Sequence, residues 1–533
     1  MKRSIILFAA LAIPFGLFAQ NLNPEVQVTN EYVSQINDVV KQGPAMTVPD
    51  SMLRFDYHFD YSVFETPYKG AYEFSPYSVA ITPAAGGYDG RKLYLRAGAG
   101  YVLKPELDVL WAAVDGKKMS VNLFAGGDGF LGNYLGIGKD TFVSDKSVKH
   151  FGWDFGTKAG VDTRINIGQA VLRAEIGYEG IFTGHELYQR GFGHAPYASV
   201  KLKKDNADGF AYAASVSYRY VNDHVEGWGP LQDHDIRLNA TVSPYVNRKC
   251  RVGMDISFAY NTFYYTAEVH PHIVFRAGKW DFDAGLRLDW FDGRSIVQDL
   301  NPRPDVRATL HLFKNRFDIY AGAVGRDYVM SFWDYKVRAH RYFTNYVDPR
   351  PVQEIADCFL GFRGFTGFGL RYDVKAGYRF LEDVPFWAVS ASGDEDIRFV
   401  SCNMLHADAE LKWTSKRFDV EAAAHYIWLP EELEDRVFAP STVTADLKVT
   451  YNWFRRIYAG LSGGMASSRR AMVGANAVEI PWYIDLGAYT EYKLNSKLGF
   501  WLKGSNLLNQ EIRQSPMFCQ YGPSVIAGVT LSL

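Results

Sequence analysis

His406-Ala407-Asp408-Ala409-Glu410-Leu411-Lys412-Trp413 alternates polar and apolar residues without a break. After the turn Ser415-Lys416 the alternation resumes. Phe418, Val420, Ala422, Ala424, Tyr426 and Trp428 are set against Asp419, Glu421 and His425. A third run places Val443, Ala445, Leu447, Val449 and Tyr451 against Thr444, Asp446, Lys448, Thr450 and Asn452. A period of two gives each strand one apolar and one polar face. The polar faces hold ionised groups of both signs, which a packed core does not accept unpaired. Apolar faces ending in aromatics, backed by wet and charged faces, are what a transmembrane β-barrel requires.

Working outward, the same pattern recurs. Trp280, Phe282, Ala284, Leu286, Leu288 and Trp290 oppose Asp281, Asp283, Arg287 and Asp289, and Val306, Ala308, Leu310 and Leu312 oppose Asp305, Arg307, Thr309 and His311. The predicted lumen-facing set is therefore Asp281, Asp283, Arg287, Asp289, Asp305, Arg307, His311, Asp408, Glu410, Lys412, Asp419, Glu421, His425, Asp446 and Lys448. Its mixed sign predicts no strong preference for anions or cations, which a ring of one sign would create. Tight turns at 166–169, 277–279, 415–416 and 495–497 alternate with longer connections expected at 292–303, 326–357, 381–401 and 466–481. Short turns face the periplasm and long loops the exterior in such barrels. Segments from 152 onward give roughly 19 strands, and 92–102, 106–114 and 118–126 add three, for about 22, an even number as in single-chain bacterial barrels. The strand-like run 72–81 is read as preceding the wall.

The totals agree. A formal net charge of −2 leaves no basic face for a nucleic-acid partner. After the N-terminus no apolar run is long enough for a spanning helix. Lys2 and Arg3 followed by an apolar run to Phe18 predict a signal peptide over 1–19 and export to a bacterial outer membrane, with outer-membrane lipid as the surrounding partner. The stretch 20–91 is expected to be periplasmic or lumenal. Tyr32, Val33, Ile36, Val39 and Val40 share a helical face in it. The barrel is expected over 92–533. Cys250, Cys358, Cys402 and Cys519 lack metal-site spacing, and a bridge between two of the last three is left open.

At the C-terminus, Gly504-Ser505-Asn506-Leu507-Leu508-Asn509-Gln510-Glu511 followed by 525–533 resembles the last hairpin of TonB-dependent outer-membrane receptors. Phe18-Ala19-Gln20 resembles the signal-cleavage region of secreted proteins of Bacteroidetes-type bacteria. The receptor resemblance covers roughly 92–533 and implies a barrel of about 22 strands, a TonB box and an N-terminal plug. Two departures stand out. The stretch 20–91 is too short for such a plug, so energised transport through TonB is in doubt, and the chain ends in Leu533 rather than an aromatic residue. Glu25-Val26-Gln27-Val28-Thr29 reads either as a vestigial TonB box or as a strand added to a periplasmic partner.

Other chemistry is weighed and set aside. His270-Pro271-His272 reads as a structural pair, with no acidic partner close in sequence, and no metal or cofactor is expected. Gly126-Gly127-Asp128-Gly129 reads as a loop, without the strand-then-helix context of a phosphate site. His311 and His425 lie near carboxylates, but inward charges are the ordinary content of a lumen, so no enzyme is expected. The segment 326–357 carries Tyr328, Trp333, Tyr335 and Tyr346 amid Arg338 and Arg341. Either it folds inward and occludes the lumen, the preferred reading, or it offers a contact surface to sugar or an acidic partner. The function read from these features is a plugless conduit or ligand-uptake barrel. The alternative is a scaffold for lipoprotein or periplasmic partners that transports nothing.

Overall fold

The computed structural model describes residues 92–136, 148–186, 188–204, 210–227, 229–246, 249–294, 297–313, 316–340, 349–389, 395–430, 437–454, 456–473, 476–513, 519 and 522–533. The signal segment, the helix expected near 32–40, the strand-like run 72–81, Arg341 and Tyr346 lie outside them. Of the two compact units, Met1–Thr47 and Val48–Leu533, all described residues belong to the second.

The alternating runs form one 22-stranded sheet. It closes because β1 (Leu93–Tyr101) pairs antiparallel with β2 (Glu106–Asp115) on one side and with β24 (Ser524–Ser532) on the other. Closure leaves no edge strand with unpaired backbone groups, which hydrocarbon would not tolerate. Two further strands, β20 (Arg469–Val473) and β21 (Asn476–Ile480), stand apart as a hairpin, so the wall count is even. Apolar side chains remain exposed along one face of the wall, among them Ile176 at 68%, Leu360 at 61% and Leu461 at 57%. Such exposure would be unstable in water and marks the lipid side.

Three local expectations are corrected. Residues 292–303 and 381–401 are not long loops. β11 (Trp280–Gly293) and β12 (Val297–Leu312) pair through the first, and β15 (Leu370–Val389) and β16 (Glu395–Thr414) through the second. β15 and β16 are each 20 residues long, whereas about 9–11 tilted residues cross a bilayer. Their outer parts therefore project as a ribbon, where Leu381, Val384, Phe386, Cys402 and Met404 bury one another. Polar and Gly/Pro-rich composition misled here because past the lipid the ladder continues by backbone pairing and by burial within the ribbon, without an alternating lipid-facing stripe. Likewise Gly126-Gly127-Asp128-Gly129 is not a loop but mid-strand in β3 (Met119–Gly136), where Gly127 faces Thr157 and Asp128 faces Gly156. At Gly127 an added Cβ would sit 2.8 Å from the Gly156 carbonyl, so the close strand approach itself selects glycine. All four cysteines are thiols, so the bridge left open among three of them does not form.

The Asn-Leu-Leu-Asn-Gln run follows β23 (Leu498–Ser505) and acts as a staple. Asn506 Oδ1 accepts from the Gln510 amide and its Nδ2 donates to the Gln510 carbonyl, both at 2.9 Å. Gln510 Oε1 accepts from the Ile484 amide at 2.7 Å, tying this turn to the preceding strand β22 (Tyr483–Lys493). Asn506 and Asn509 adopt φ of 46° and 50°, a region asparagine enters more readily than most residues.

Candidate functional site

The connection after β13 (Phe317–Val329) folds into the ring. Its helix α1 (Phe332–Arg338) begins at Ser331, whose side chain accepts from the Asp334 amide while the Asp334 side chain accepts from the Ser331 amide. This reciprocal cap satisfies donors that a helix start otherwise leaves orphaned. α1 then reaches several strands. Trp333 Nε1 donates to Glu179 Oε2 at 2.7 Å on β5 (Ala170–His185). Lys336 Nζ lies 2.8 Å from Asp223 Oδ1 on β7 (Ala211–Val225), both side chains fully buried. Arg237 on β8 (Leu231–Val246) sits 3.7 Å from Asp334 and 2.9 Å from Asp235. Just beyond the helix, His340 Nδ1 lies 2.7 Å from Asp154 on β4 (Val148–Ile167). Phe332 and Tyr335 share a buried cluster with Val225, Leu231, Phe438, Ile480 and, from β15, Trp387. A helix joined at once to β4, β5, β7 and β8 and, across the opening, to β15 lies inside the closed ring. The wall face it touches is the polar one.

Two groups on this connection are shifted by their surroundings. Burial pushes the Asp334 carboxyl up, but the Arg237 guanidinium and the Ser331 hydrogen bonds outweigh it and hold Asp334 below the usual carboxylate range. Burial pushes the His340 imidazole down. The charge and hydrogen bond of Asp154, with Asp128 further off, outweigh it and leave His340 above its ordinary value.

Register carries the inner face from the helix contacts to every predicted wall residue. Arg237 shares a face with Thr241, which faces Asp255, and Asp255 faces His270. Glu268 then faces Asp289, Asp283 faces Arg307 and His311 faces Asp318. Asp318 faces Arg363, Arg363 faces Asp373 and Asp373 faces Glu410. Lys412 faces Glu421 and Glu421 faces Lys448.

The side chains on this face form cross-strand chains in which carboxylates alternate with arginine, lysine or histidine. One runs from Arg276 to Asp281 at 2.6 Å, to His311 at 2.9 Å, to Asp318 at 2.7 Å and to Arg363 at 3.1 Å. In a second, Arg287 lies 2.9 Å from Asp305 and 3.2 Å from Glu268, and Arg307 lies 3.8 Å from Asp305. A third links His425 to Asp408 at 2.8 Å, Asp408 to His406 at 3.1 Å and His406 to Asp357 at 2.8 Å. Lys412 and Glu421 pair at 2.6 Å, with Lys448 4.0 Å from Glu421. Asp289 accepts from the Asp327 amide at 2.9 Å. Asp283, Glu410, Asp419 and Asp446 share the face without entering these chains. Of the loop candidates, Trp333 and Tyr335 are buried, Tyr328 is half-buried against the ribbon cluster and Arg338 is half-buried.

The residues that sequence reasoning missed are those that receive α1, namely Asp154, Glu179, Asp223, Asp235 and Arg237. The cap Ser331-Phe332-Trp333-Asp334 was a readable helix signal. The identity of its receptors was not, because they sit up to 186 positions away. The His270-Pro271-His272 reading also needs correction. Its acidic partner, Asp255, comes from the neighbouring strand rather than from nearby sequence.

No protein-family model and no curated protein sequence matches the chain. Among solved structures, it is similar to the FrpB iron transporter from Neisseria meningitidis (F3-3 variant), with a TM-score of 0.63 at 10% identity over 83% of this chain and 81% of that one. The siderophore receptor PirA from Acinetobacter baumannii gives a TM-score of 0.62 at 9% identity, over 83% and 80% of the two chains. The copper transporter OprC gives 0.61 at 12%, again over 83% and 80%. At such identities the likeness is one of fold: this chain is a closed antiparallel barrel of the architecture found in those outer-membrane receptors and transporters.

Proposed function

We propose that the protein is an outer-membrane uptake barrel, a conduit whose constriction is supplied by the inward-folded α1 connection rather than by a separate plug. The observation that carries this reading is α1 itself, held inside a closed 22-strand ring by contacts to β4, β5, β7 and β8. The fold shared with an iron transporter, a siderophore receptor and a copper transporter supports the transport class. So does the resemblance of the 504–511 run to the last hairpin of TonB-dependent receptors. The inner wall suits a polar, hydrated path, because it carries ionised groups of both signs, many of them paired across strands. Lipid is the partner of the outer face, and a periplasmic or lipoprotein component is the expected partner at the barrel ends. The lumen-facing set and the loop aromatics are its path and constriction, and no catalytic role is assigned to them.

Planar-bilayer recording of the full chain and of a 331–340 deletion tests the reading. The deletion is expected to raise single-channel conductance. Equal silence from both, in protein that folds and inserts, would overturn it and favour the scaffold role, to which a filled mouth is equally suited.

A further inference from the structure

We propose that Asp255, His270 and His272 form a binding site for a divalent first-row transition ion of the zinc or cobalt kind on the inner wall. The proposal does not depend on whether the barrel conducts. His270 and His272 stand two apart on β10 (Tyr264–Ala277), so both imidazoles leave the same face of the strand. Asp255 lies opposite His270 on β9 (Cys250–Tyr260). His270 Nδ1 is 3.2 Å and His272 Nδ1 is 3.4 Å from the same oxygen, Asp255 Oδ2, and one donor atom from each residue lies within 4.8 Å of the others. A tetrahedral ion with bonds of about 2.0–2.1 Å to imidazole nitrogen and carboxylate oxygen places its ligands roughly 3.3–3.4 Å apart. Two of the three separations already meet that spacing. Imidazole and carboxylate together select this class of ion over magnesium or calcium, which prefer oxygen alone.

Three independent features point the same way. The other ring nitrogen of His270, Nε2, lies 3.2 Å from Asp305 Oδ2, with both side chains more than nine-tenths buried. A carboxylate behind the ligating imidazole fixes its tautomer and directs the free lone pair to the ion. Asp305 is itself held by Arg287 at 2.9 Å, and Arg287 also lies 3.2 Å from Glu268, so Asp305 is balanced from behind and Asp255 supplies the ion's carboxylate. The flanking strands make room. A Cβ at Gly253 would fall 2.4 Å from His272 Nε2, and one at Gly285 2.6 Å from His270 Nε2, so glycine on both sides is what lets the two rings stand side by side. Finally, the Asp255 side chain is 39% exposed, which leaves the carboxylate reachable from the lumen. The contact from His272 Nδ1 to the His270 carbonyl is long at 3.4 Å and is the one an ion would replace.

The competing account is a purely ionic cluster, an imidazolium between Asp255 and Asp305 that needs no metal. The test uses the full chain purified in detergent and stripped with chelator. Co²⁺ is titrated and followed by visible d–d absorption, and Zn²⁺ by calorimetry. One ion per chain is expected. Asp255→Asn and His272→Ala should each weaken binding about tenfold or more, and Asp305→Asn by roughly 10–100-fold through loss of the supporting carboxylate. His194→Ala, a histidine on another part of the wall, should leave binding unchanged. A heat-shift of the folded band on gels confirms that each variant is intact, and Asp255→Glu serves if Asp255→Asn fails to fold. Absence of saturable one-to-one binding, or affinity in Asp255→Asn and His272→Ala unchanged from that of the unaltered chain, would overturn the proposal in favour of the ionic cluster.

Discussion

Replacing Lys336 by methionine tests the α1 latch most directly. The side chains of Lys336 and Asp223 are both fully buried, with 2.8 Å between Nζ and Oδ1. Methionine keeps most of the stem volume and removes only the charge. Taking one partner from a buried ion pair costs about 3–5 kcal/mol, because the remaining charge loses its compensation in a low-dielectric site. No discount for solvent applies where neither side chain reaches water. If α1 swings between a seated and a released state, that loss shifts the ratio toward release by roughly two to four powers of ten, at 1.4 kcal/mol per factor of ten. Hydrogen exchange reads this at the Tyr335 and Ala339 amides, which donate to the Ser331 and Tyr335 carbonyls at 3.2 and 3.1 Å. Both should lose protection in Lys336→Met while strand amides keep theirs. Lys336→Met combined with Asp223→Asn should recover much of the loss, because the buried carboxylate that faced Lys336 is then neutral. Unchanged protection at both amides in the single variant would refute the reasoning and place the anchoring of α1 in its apolar contacts alone.

Leu461 lies mid-strand in β19 (Ile457–Ala466) and is 57% exposed, so Leu461→Arg on the lipid face should cost about 2–4 kcal/mol, read as a lowered denaturation midpoint in lipid vesicles. The His340–Asp154 contact sets a pH dependence. A raised folded-state pKa means that its contribution is complete below the ordinary histidine value and is lost as pH climbs through the raised one. Exchange around 331–340 should therefore quicken on the alkaline side, and Asp154→Asn should flatten that response.

Much of the wall was legible in the sequence because barrel physics is local. Each strand solves the same problem, lipid on one side and water on the other, so Asp408, Glu410 and Lys412 betray their face without reference to any other strand. Strand length was less legible. The projecting parts of β15 and β16 have no lipid to face, so the alternation that reveals a strand fades while the ladder continues, as Val384 pairing with Val400 shows. Least legible was what strands bring together. Asp255 meets His270 only because of the register of β9 with β10. Trp333 meets Glu179, 154 positions earlier, only because the ring closes. Aromatic composition suggested that the 326–357 segment folds inward. It could not say which carboxylates would receive it.

That distinction bears on selectivity. The sequence suggested no preference for either sign, because the wall set is mixed in sign, and part of that set is paired across strands. At the mouth, part of the charge pairing is supplied by the α1 connection itself. Lys336 and His340 face Asp223 and Asp154, while the one acid of α1, Asp334, faces Arg237, which keeps Asp235 at 2.9 Å whether or not the helix is there. Glu179 likewise keeps Arg219 at 3.2 Å and Lys158 at 3.4 Å. Withdrawing α1 removes the cations Lys336 and Arg338 together with a single acid, Asp334, and costs Arg237 only one of its two acids. The open mouth must be more negative than the closed one. In a salt gradient, the 331–340 deletion should accordingly shift the reversal potential toward cations, and Asp154→Asn with Asp223→Asn should move it back. A shift toward anions would mean that the carboxylates at the mouth find other cations once the helix has left.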